Sequence, residues 1–188
     1  MEYELFKSIP EGFEYYPGFL SAEEEDELLQ FISGIELQPF IFQGFPAKRK
    51  VKNFGFNYNF DSRKLSKGNE IPQAFLPFIE KVGRTTAIPP EAFMELLITE
   101  YGEGSVINWH RDAPPFEIIA GISLLSGCRF MFRPAVKARQ GRKAIISYQV
   151  QRRSLYIMKG SARSEWQHSI APVKQKRFSI TLRTILTG

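Results

Sequence analysis

The sequence predicts an α+β fold with a β core, a β-sandwich or jelly roll carrying its N-terminal helices on one face. Three observations predict it. Helical signals are confined to the first half, and short β-rich runs fill the chain from Phe93 onward. No internal repeat, low-complexity tract or Pro/Ser-rich linker divides the 188 residues. One domain over residues 1–188 is therefore expected, long enough to bury a sizeable apolar core.

Ser21 followed by Glu24 reads as a capping box that starts an amphipathic helix running to about Ile32, with Leu28, Leu29 and Phe31 toward its buried side. Pro72 and the run Ala74-Phe75-Leu76-Pro77-Phe78-Ile79 predict a second helix ending near Gly83. Strands are expected at 94–99, 105–109, 118–125, 128–132, 143–150, 154–158 and 177–184. Turns such as Gly102-Glu103-Gly104 and Ser126-Gly127 separate them.

An apolar fraction of 43% with 17 phenylalanines argues for a folded globule rather than a disordered segment. No apolar run approaches the ~20 residues of a membrane helix. The start, Met1-Glu2-Tyr3-Glu4-Leu5, lacks the pattern of a secretory signal. The single cysteine, Cys128, rules out an internal disulfide framework. These features predict a reducing setting, cytoplasmic (or nuclear in a eukaryote), no membrane partner and a monomer. The formal charge of +5 is unevenly spread. Acidic residues crowd 23–27, whereas basic ones gather at 48–52 and again from Arg133 to Arg153. A basic surface favours a polyanion, although loops solvated by lysine and arginine would look the same.

The chain has two histidines, and both fall into one pattern. His110 and Asp112 form a His-X-Asp, and His168 follows at a distance. In an extended strand, residues two apart face one side, so His110 and Asp112 can present their side chains to one ion. Two histidines and a carboxylate are the facial triad of non-haem Fe(II), with open positions left for a chelating cosubstrate and oxygen. The same trio also makes a hydrolytic zinc site.

Further on, Arg177, Ser179, Thr181 and Arg183 alternate with Phe178, Ile180 and Leu182. Period two puts the polar set on one face and the apolar set on the other. If that polar face lines a barrel interior, its guanidinium groups need anionic partners. A dicarboxylic cosubstrate would supply one, with one end on the metal and the other on arginine.

These pieces resemble the AlkB-like family of Fe(II)- and 2-oxoglutarate-dependent dioxygenases. The matching motifs are Tyr101-Gly102-Glu103-Gly104, His110-Arg111-Asp112, Gly121-Ile122-Ser123-Leu124, Gly160-Ser161-Ala162-Arg163 leading to Trp166-Gln167-His168, and the strand from Arg177 to Arg183. They keep the family's order over roughly the C-terminal half. The earlier Phe54-Gly55-Phe56-Asn57-Tyr58-Asn59-Phe60 is similar to the segment near the family's nucleotide-recognition lid, placed here at about 40–65. The resemblance implies a double-stranded β-helix with iron on His110, Asp112 and His168. It implies that Tyr101 and Arg177 bind 2-oxoglutarate, with Arg183 near the metal end. It further implies decarboxylation of 2-oxoglutarate to succinate, hydroxylation of a carbon attached to nitrogen, and release of an aldehyde. Two positions depart from the family near the cosubstrate: Thr99 stands where an asparagine is common, and Ser179 replaces the amide of the RxNxTxR strand. Ala113-Pro114-Pro115 carries no acidic residue of the kind DNA-repair members place after the triad carboxylate; the next is Glu117.

The leading expectation is oxidative demethylation of an N-alkylated base in DNA or RNA. Such a base must leave its stack and sit between aromatic or apolar walls. Tyr58, Trp109, Phe56 and Trp166 are candidate walls, although core packing is the commoner use of such residues. Lys48, Arg49, Lys50 and Lys52, with Arg139, Arg142, Lys143, Arg152 and Arg153, are candidates to grip phosphates. Arg111 and Arg163 are expected near the substrate mouth, Arg163 in a turn before His168. The same chemistry on a modified tRNA nucleoside or a protein side chain is the alternative, and Arg152-Arg153-Ser154-Leu155 resembles the tRNA-modifying branch. A non-catalytic jelly-roll binding module would need neither the intact triad nor both arginines.

Overall fold

The computed structural model describes residues 9–42, 44–59 and 62–186. Met1–Leu5 and Phe60 of the aromatic segment lie outside the described residues. Ser21 caps the first helix, α1 (Ala22–Ser33), as expected. Its hydroxyl accepts the Glu24 N–H at 3.1 Å, and the Glu24 carboxylate takes the Ser21 N–H at 2.8 Å. A 3-10 turn at Gln73–Phe75 leads into α2 (Leu76–Thr86), which tolerates Pro77 because it falls in the first turn. Leu28, Ile32, Phe78, Ile79 and Val82 press the two helices onto one apolar face.

That face belongs to the larger of two antiparallel sheets. Its strands are β1 (Phe13–Tyr16), β2 (Gln38–Phe42), β3 (Phe45–Asn59), β5 (Phe93–Tyr101), β7 (Phe116–Leu124), β10 (Leu155–Met158) and β12 (Arg177–Ile185), with β4 (Lys64–Lys67) added on β3. Their order is β1-β10-β7-β12-β5-β3-β2. The smaller sheet has the order β6-β11-β8-β9, from β6 (Ile107–His110), β11 (Trp166–Ile170), β8 (Cys128–Pro134) and β9 (Ile146–Val150). Phe130, Phe132, Ile146 and Ile170 of the small sheet close on Tyr101, Ile119, Tyr156 and Met158 of the large one. The result is a jelly roll with helices on one face.

The N-terminal half contributes more β structure than its sequence pattern predicts, since β1 to β4 all precede Phe93. In β3 the run Lys48-Arg49-Lys50-Val51-Lys52-Asn53 is polar on both faces, so no period-two contrast marks it. Pairing with β5 on one edge and β2 on the other makes it a strand. The 143–150 run starts as a 3-10 turn, Arg142–Ala144, and becomes β9 only at Ile146. The expected turn before His168 is a short helix, α3 (Gly160–Ser164), and His168 itself lies on β11.

Within the segment expected as a lid, residues 49–55 of β3 pair with β5 and belong to the large sheet. Beyond Gly55 the strand pairs with β4 instead, setting Tyr58 opposite Leu65 against the inner core. Gly55 makes this departure feasible. Its φ is +78°, and a Cβ there would stand 2.1 Å from the Met94 carbonyl oxygen. Gly55→Ala is expected to cost about 1–3 kcal/mol of stability, measured by denaturant unfolding, and to loosen the β3–β4 hairpin in hydrogen exchange. An unchanged unfolding curve and unchanged exchange would show that the chain bends elsewhere.

Candidate metal centre and active site

The inner face of β12 is what the alternating pattern predicts. Phe178, Ile180 and Leu182 face the helices, while Arg177, Ser179 and Thr181 are buried on the side toward the small sheet. Strand register then sets polar rows across three strands. Arg177 lies opposite Tyr101, Ser179 lies between Thr99 and Ser123, and Arg183 lies opposite Glu95.

The small sheet brings in the histidines. His110 ends β6 and pairs directly with His168 on β11, their ring centroids 4.2 Å apart. Asp112 follows two residues beyond β6, with Oδ1 3.6 Å from His110 Nε2 and 3.4 Å from His168 Nε2. The candidate ligand atoms of the three residues all lie within 4.8 Å of one another. His110 Nδ1 is 2.8 Å from the Asn108 carbonyl, which keeps the proton on Nδ1 and leaves Nε2 free for a metal. The His168 ring stacks on Phe130, the planes 7° apart.

The other oxygen of Asp112 is held by arginine. Arg183 Nε donates to Asp112 Oδ2 at 2.7 Å, and Arg183 Nη1 donates to Glu95 Oε2 at 2.6 Å. Asn53 on β3 donates to the second oxygen of Glu95. Burial alone would raise the Asp112 carboxyl, but the Arg183 guanidinium, with the two imidazoles beside it, holds it well below the usual carboxylate range. Glu95 shifts the opposite way, because its burial outweighs what Arg183 returns. Burial, then the neighbouring His110, depress the His168 imidazole despite Asp112. Glu95 has no place among the motifs, yet a carboxylate inside the apolar run Phe93-Met94-Glu95-Leu96-Leu97-Ile98 was its visible signal.

Arg177 is fully buried, stacks over the Tyr101 ring at 4.9 Å and donates from Nε to Ser123 Oγ at 3.0 Å. Its two terminal nitrogens are buried and, among the described residues, have no hydrogen-bond partner. Unpartnered guanidinium nitrogens this deep fit a carboxylate, which accepts two parallel N–H bonds. This orphaned fork is what a dicarboxylic cosubstrate would satisfy.

The expected substrate residues are scattered more widely. Tyr58 and Trp166 pack against the inner core. Trp109 alternates to the outer face of the small sheet, opposite His110, and is covered there by Arg133, so it is not a wall beside the triad. Arg49 aligns with Tyr101, and its guanidinium lies 4.0 Å over Phe40. Lys50, opposite Glu100, turns to the helix face, and Lys48 shares that parity. By strand alternation Arg49 thus faces the opposite side of the sheet from Lys48 and Lys50. Arg163 donates to the Asp112 and Ala113 carbonyls, at 3.0 and 2.7 Å, and Arg111 donates to the Ser164 carbonyl at 2.7 Å. This reciprocal pair ties α3 to the loop that carries Asp112. Arg152 and Arg153 both lie against the buried Glu25.

A jelly roll with this donor set has the architecture of a non-haem iron oxygenase. Sequence comparison agrees: the model of the 2OG-Fe(II) oxygenase superfamily matches residues 12–183, and the chain belongs to that superfamily. Members of that superfamily are oxidoreductases that use Fe(II) and 2-oxoglutarate. The chain is 29% identical over 175 residues to the mouse (Mus musculus) tRNA (carboxymethyluridine(34)-5-O)-methyltransferase ALKBH8, and 24% identical over 173 residues to that of Xenopus tropicalis. These alignments cover 89% and 90% of the chain but 25% and 27% of the relatives, so the chain spans about a quarter of the length of the curated relatives it matches. Among solved structures, OsALKBH1 superposes with a TM-score of 0.74 at 14% identity, over 94% of this chain and 98% of the other. A 2OG-Fe(II) oxygenase-family oxidoreductase from Burkholderia pseudomallei superposes with 0.65 at 14% identity, over 93% and 85%. Among the described residues, no helix is long and apolar enough to cross a membrane.

The depressed His168 has a consequence for stability. The folded metal-free protein keeps His168 neutral at pH values where the unfolded chain, near its ordinary 6.5, binds a proton. Stability from this group is therefore present above 6.5 and falls as the pH drops from there toward the folded value. In thermal melts without metal, the wild type should lose more Tm on acidification from neutrality than His168→Gln does. Parallel pH profiles for the two would remove His168 as the cause.

Proposed function

We propose that His110, Asp112 and His168 bind Fe(II), and that Arg177 with Tyr101 grips the remote carboxylate of 2-oxoglutarate between Thr99 and Ser179. Arg183 guards the metal end. The observation that carries this reading is the pairing of a converged triad with a fully buried Arg177 whose terminal nitrogens lack partners among the described residues. When bound, the iron and 2-oxoglutarate supply oxidation of a carbon–hydrogen bond with release of succinate and carbon dioxide. The chain's own residues do the rest. Arg183 keeps Asp112 ionised and turns one of its oxygens away, so the other faces the histidines. The Asn108 carbonyl fixes the His110 tautomer, and Phe130 fixes the His168 plane. Asp112 and His168 are buried on the inner face, which shields that side of the site from water, while His110 opens to the outside.

The substrate in this reading is an N-alkylated base of DNA or RNA, delivered by the β3–β4 hairpin with Tyr58 beside it. Loss of the alkyl group would follow hydroxylation of the carbon next to nitrogen and departure of an aldehyde. A modified tRNA nucleoside is the second reading, favoured by the tRNA named in the ALKBH8 relatives. A panel of methylated DNA and RNA oligonucleotides and tRNA, assayed for succinate and formaldehyde, tests both. Formaldehyde from a methylated oligonucleotide supports the first, and oxidation of tRNA alone supports the second. Succinate with neither would remove nucleic acid as the substrate.

Asp112→Ala should lose Fe(II) affinity by 10-fold or more, about 1.4 kcal/mol or greater, while the fold survives. Retained metal titration and retained turnover would take Asp112 out of the site. Arg177→Ala should raise the KM for 2-oxoglutarate at least about tenfold and leave oligonucleotide affinity unchanged. The reverse pattern would mean that Arg177 faces the substrate.

A further inference from the structure

The small sheet has two faces, and the triad uses one. Between Glu117 and Glu165 the chain carries ten cations and no carboxylate. Four of the ten are committed. Arg152 and Arg153 lie against Glu25, Lys159 against Glu14, and Arg163 holds backbone carbonyls near Asp112. The remaining six, Arg129, Arg133, Lys137, Arg139, Arg142 and Lys143, sit on β8 and on the two 3-10 turns that follow it. Among the described residues, none of these six is paired with a carboxylate.

β8 turns Cys128, Phe130 and Phe132 inward, so Arg129 and Arg133 stand on the outer face. Arg133 is fixed there by neutral partners. Its Nε donates to Gln167 Oε1 at 2.7 Å, and its guanidinium lies 4.6 Å over the Trp109 ring. The geometry is set while the charge is left uncancelled. Gln167 and Trp109 belong to the strands that carry His168 and His110 on the other face. A surface built this way suits a polyanion. A lipid surface would call for apolar anchors beside the cations, and Val136 is the one large exposed apolar side chain in this stretch.

We infer that the outer face of the small sheet, with the turns at 137–143, binds the sugar-phosphate backbone of the polynucleotide whose base reacts at the triad. The inference rests on the nucleic-acid reading above. Because the patch backs onto the metal-site strands, it touches nucleotides remote from the reacting one. It therefore contributes for long substrates and not for short ones.

The test uses the full chain carrying Lys137→Gln, Arg139→Gln and Lys143→Gln together, three exposed side chains outside the triad and the arginine strand. Binding of a fluorescein-labelled, unmodified RNA hairpin is followed by anisotropy over a salt series. Affinity should fall roughly tenfold and the salt slope flatten by about 2 to 3, at about 0.7 to 0.9 per lost phosphate contact. The KM for a long substrate should rise, while that for a trinucleotide and the succinate formed without substrate should stay at wild-type values. Arg133→Gln should weaken the hairpin further, and a circular dichroism melt like the wild type's excludes a folding defect. Hairpin affinity and slope equal to the wild type's would overturn the inference and leave the nucleic-acid reading standing. A wild-type protein that binds no oligonucleotide, or that binds phosphatidylserine vesicles in preference, would overturn both.

Discussion

The register of β12 between β5 and β7 is the constraint on which the rest of the site depends. Period-two alternation gives this strand an apolar side for the helices and a polar side for the interior. A slip of one residue would put Phe178 and Ile180 into the interior and two arginines under α1 and α2. Neither set could then be satisfied. Apolar packing on one face thus enforces the placement of cations on the other, and the arginines need no separate device to hold them there.

Those cations are unequal in their surroundings. Arg183 is compensated by two carboxylates, Asp112 and Glu95, and Asn53 completes the chain of hydrogen bonds from the β3 strand. Burying such a group is tolerable only because each charge meets another with good geometry. Arg177, six residues earlier on the same face, has a ring beneath it and one hydroxyl. Its terminal nitrogens keep an unmet demand for an anion. The contrast explains how one strand can fix Asp112 with one arginine and present the other as a buried fork, the fork to which the proposed function assigns a carboxylate.

The small sheet divides its labour between faces. Inward, it pairs His110 with His168 and backs the latter with Phe130. Outward, it carries Trp109 and Gln167, each in contact with Arg133. Arg111 and Arg163 join its edge to α3 by reciprocal bonds to backbone carbonyls, which restrains the loop bearing Asp112. Arg111 and Arg163, which look in the sequence like substrate contacts, here bond the backbone of α3 and of the Asp112 loop.

Much of this was legible in the residue order. The capping box at Ser21, the alternation from Arg177 to Arg183 and the His-X-Asp with a distant His are local patterns, and local sterics and periodicity govern them. By itself the sequence determined the β core with helices on one face, the donor types and the gathering of two arginines on one face of the last strand; their burial came from the fold. Tertiary structure alone decided that β3 is a strand, since its polar alternation carries no contrast and only pairing with β5 and β2 defines it. It alone sent Trp109 outward and divided Arg49 from Lys48 and Lys50. It also brought Glu95 and Asn53 to Arg183 across three strands. Cross-strand register links residues far apart in the chain, and no window along the sequence contains both partners.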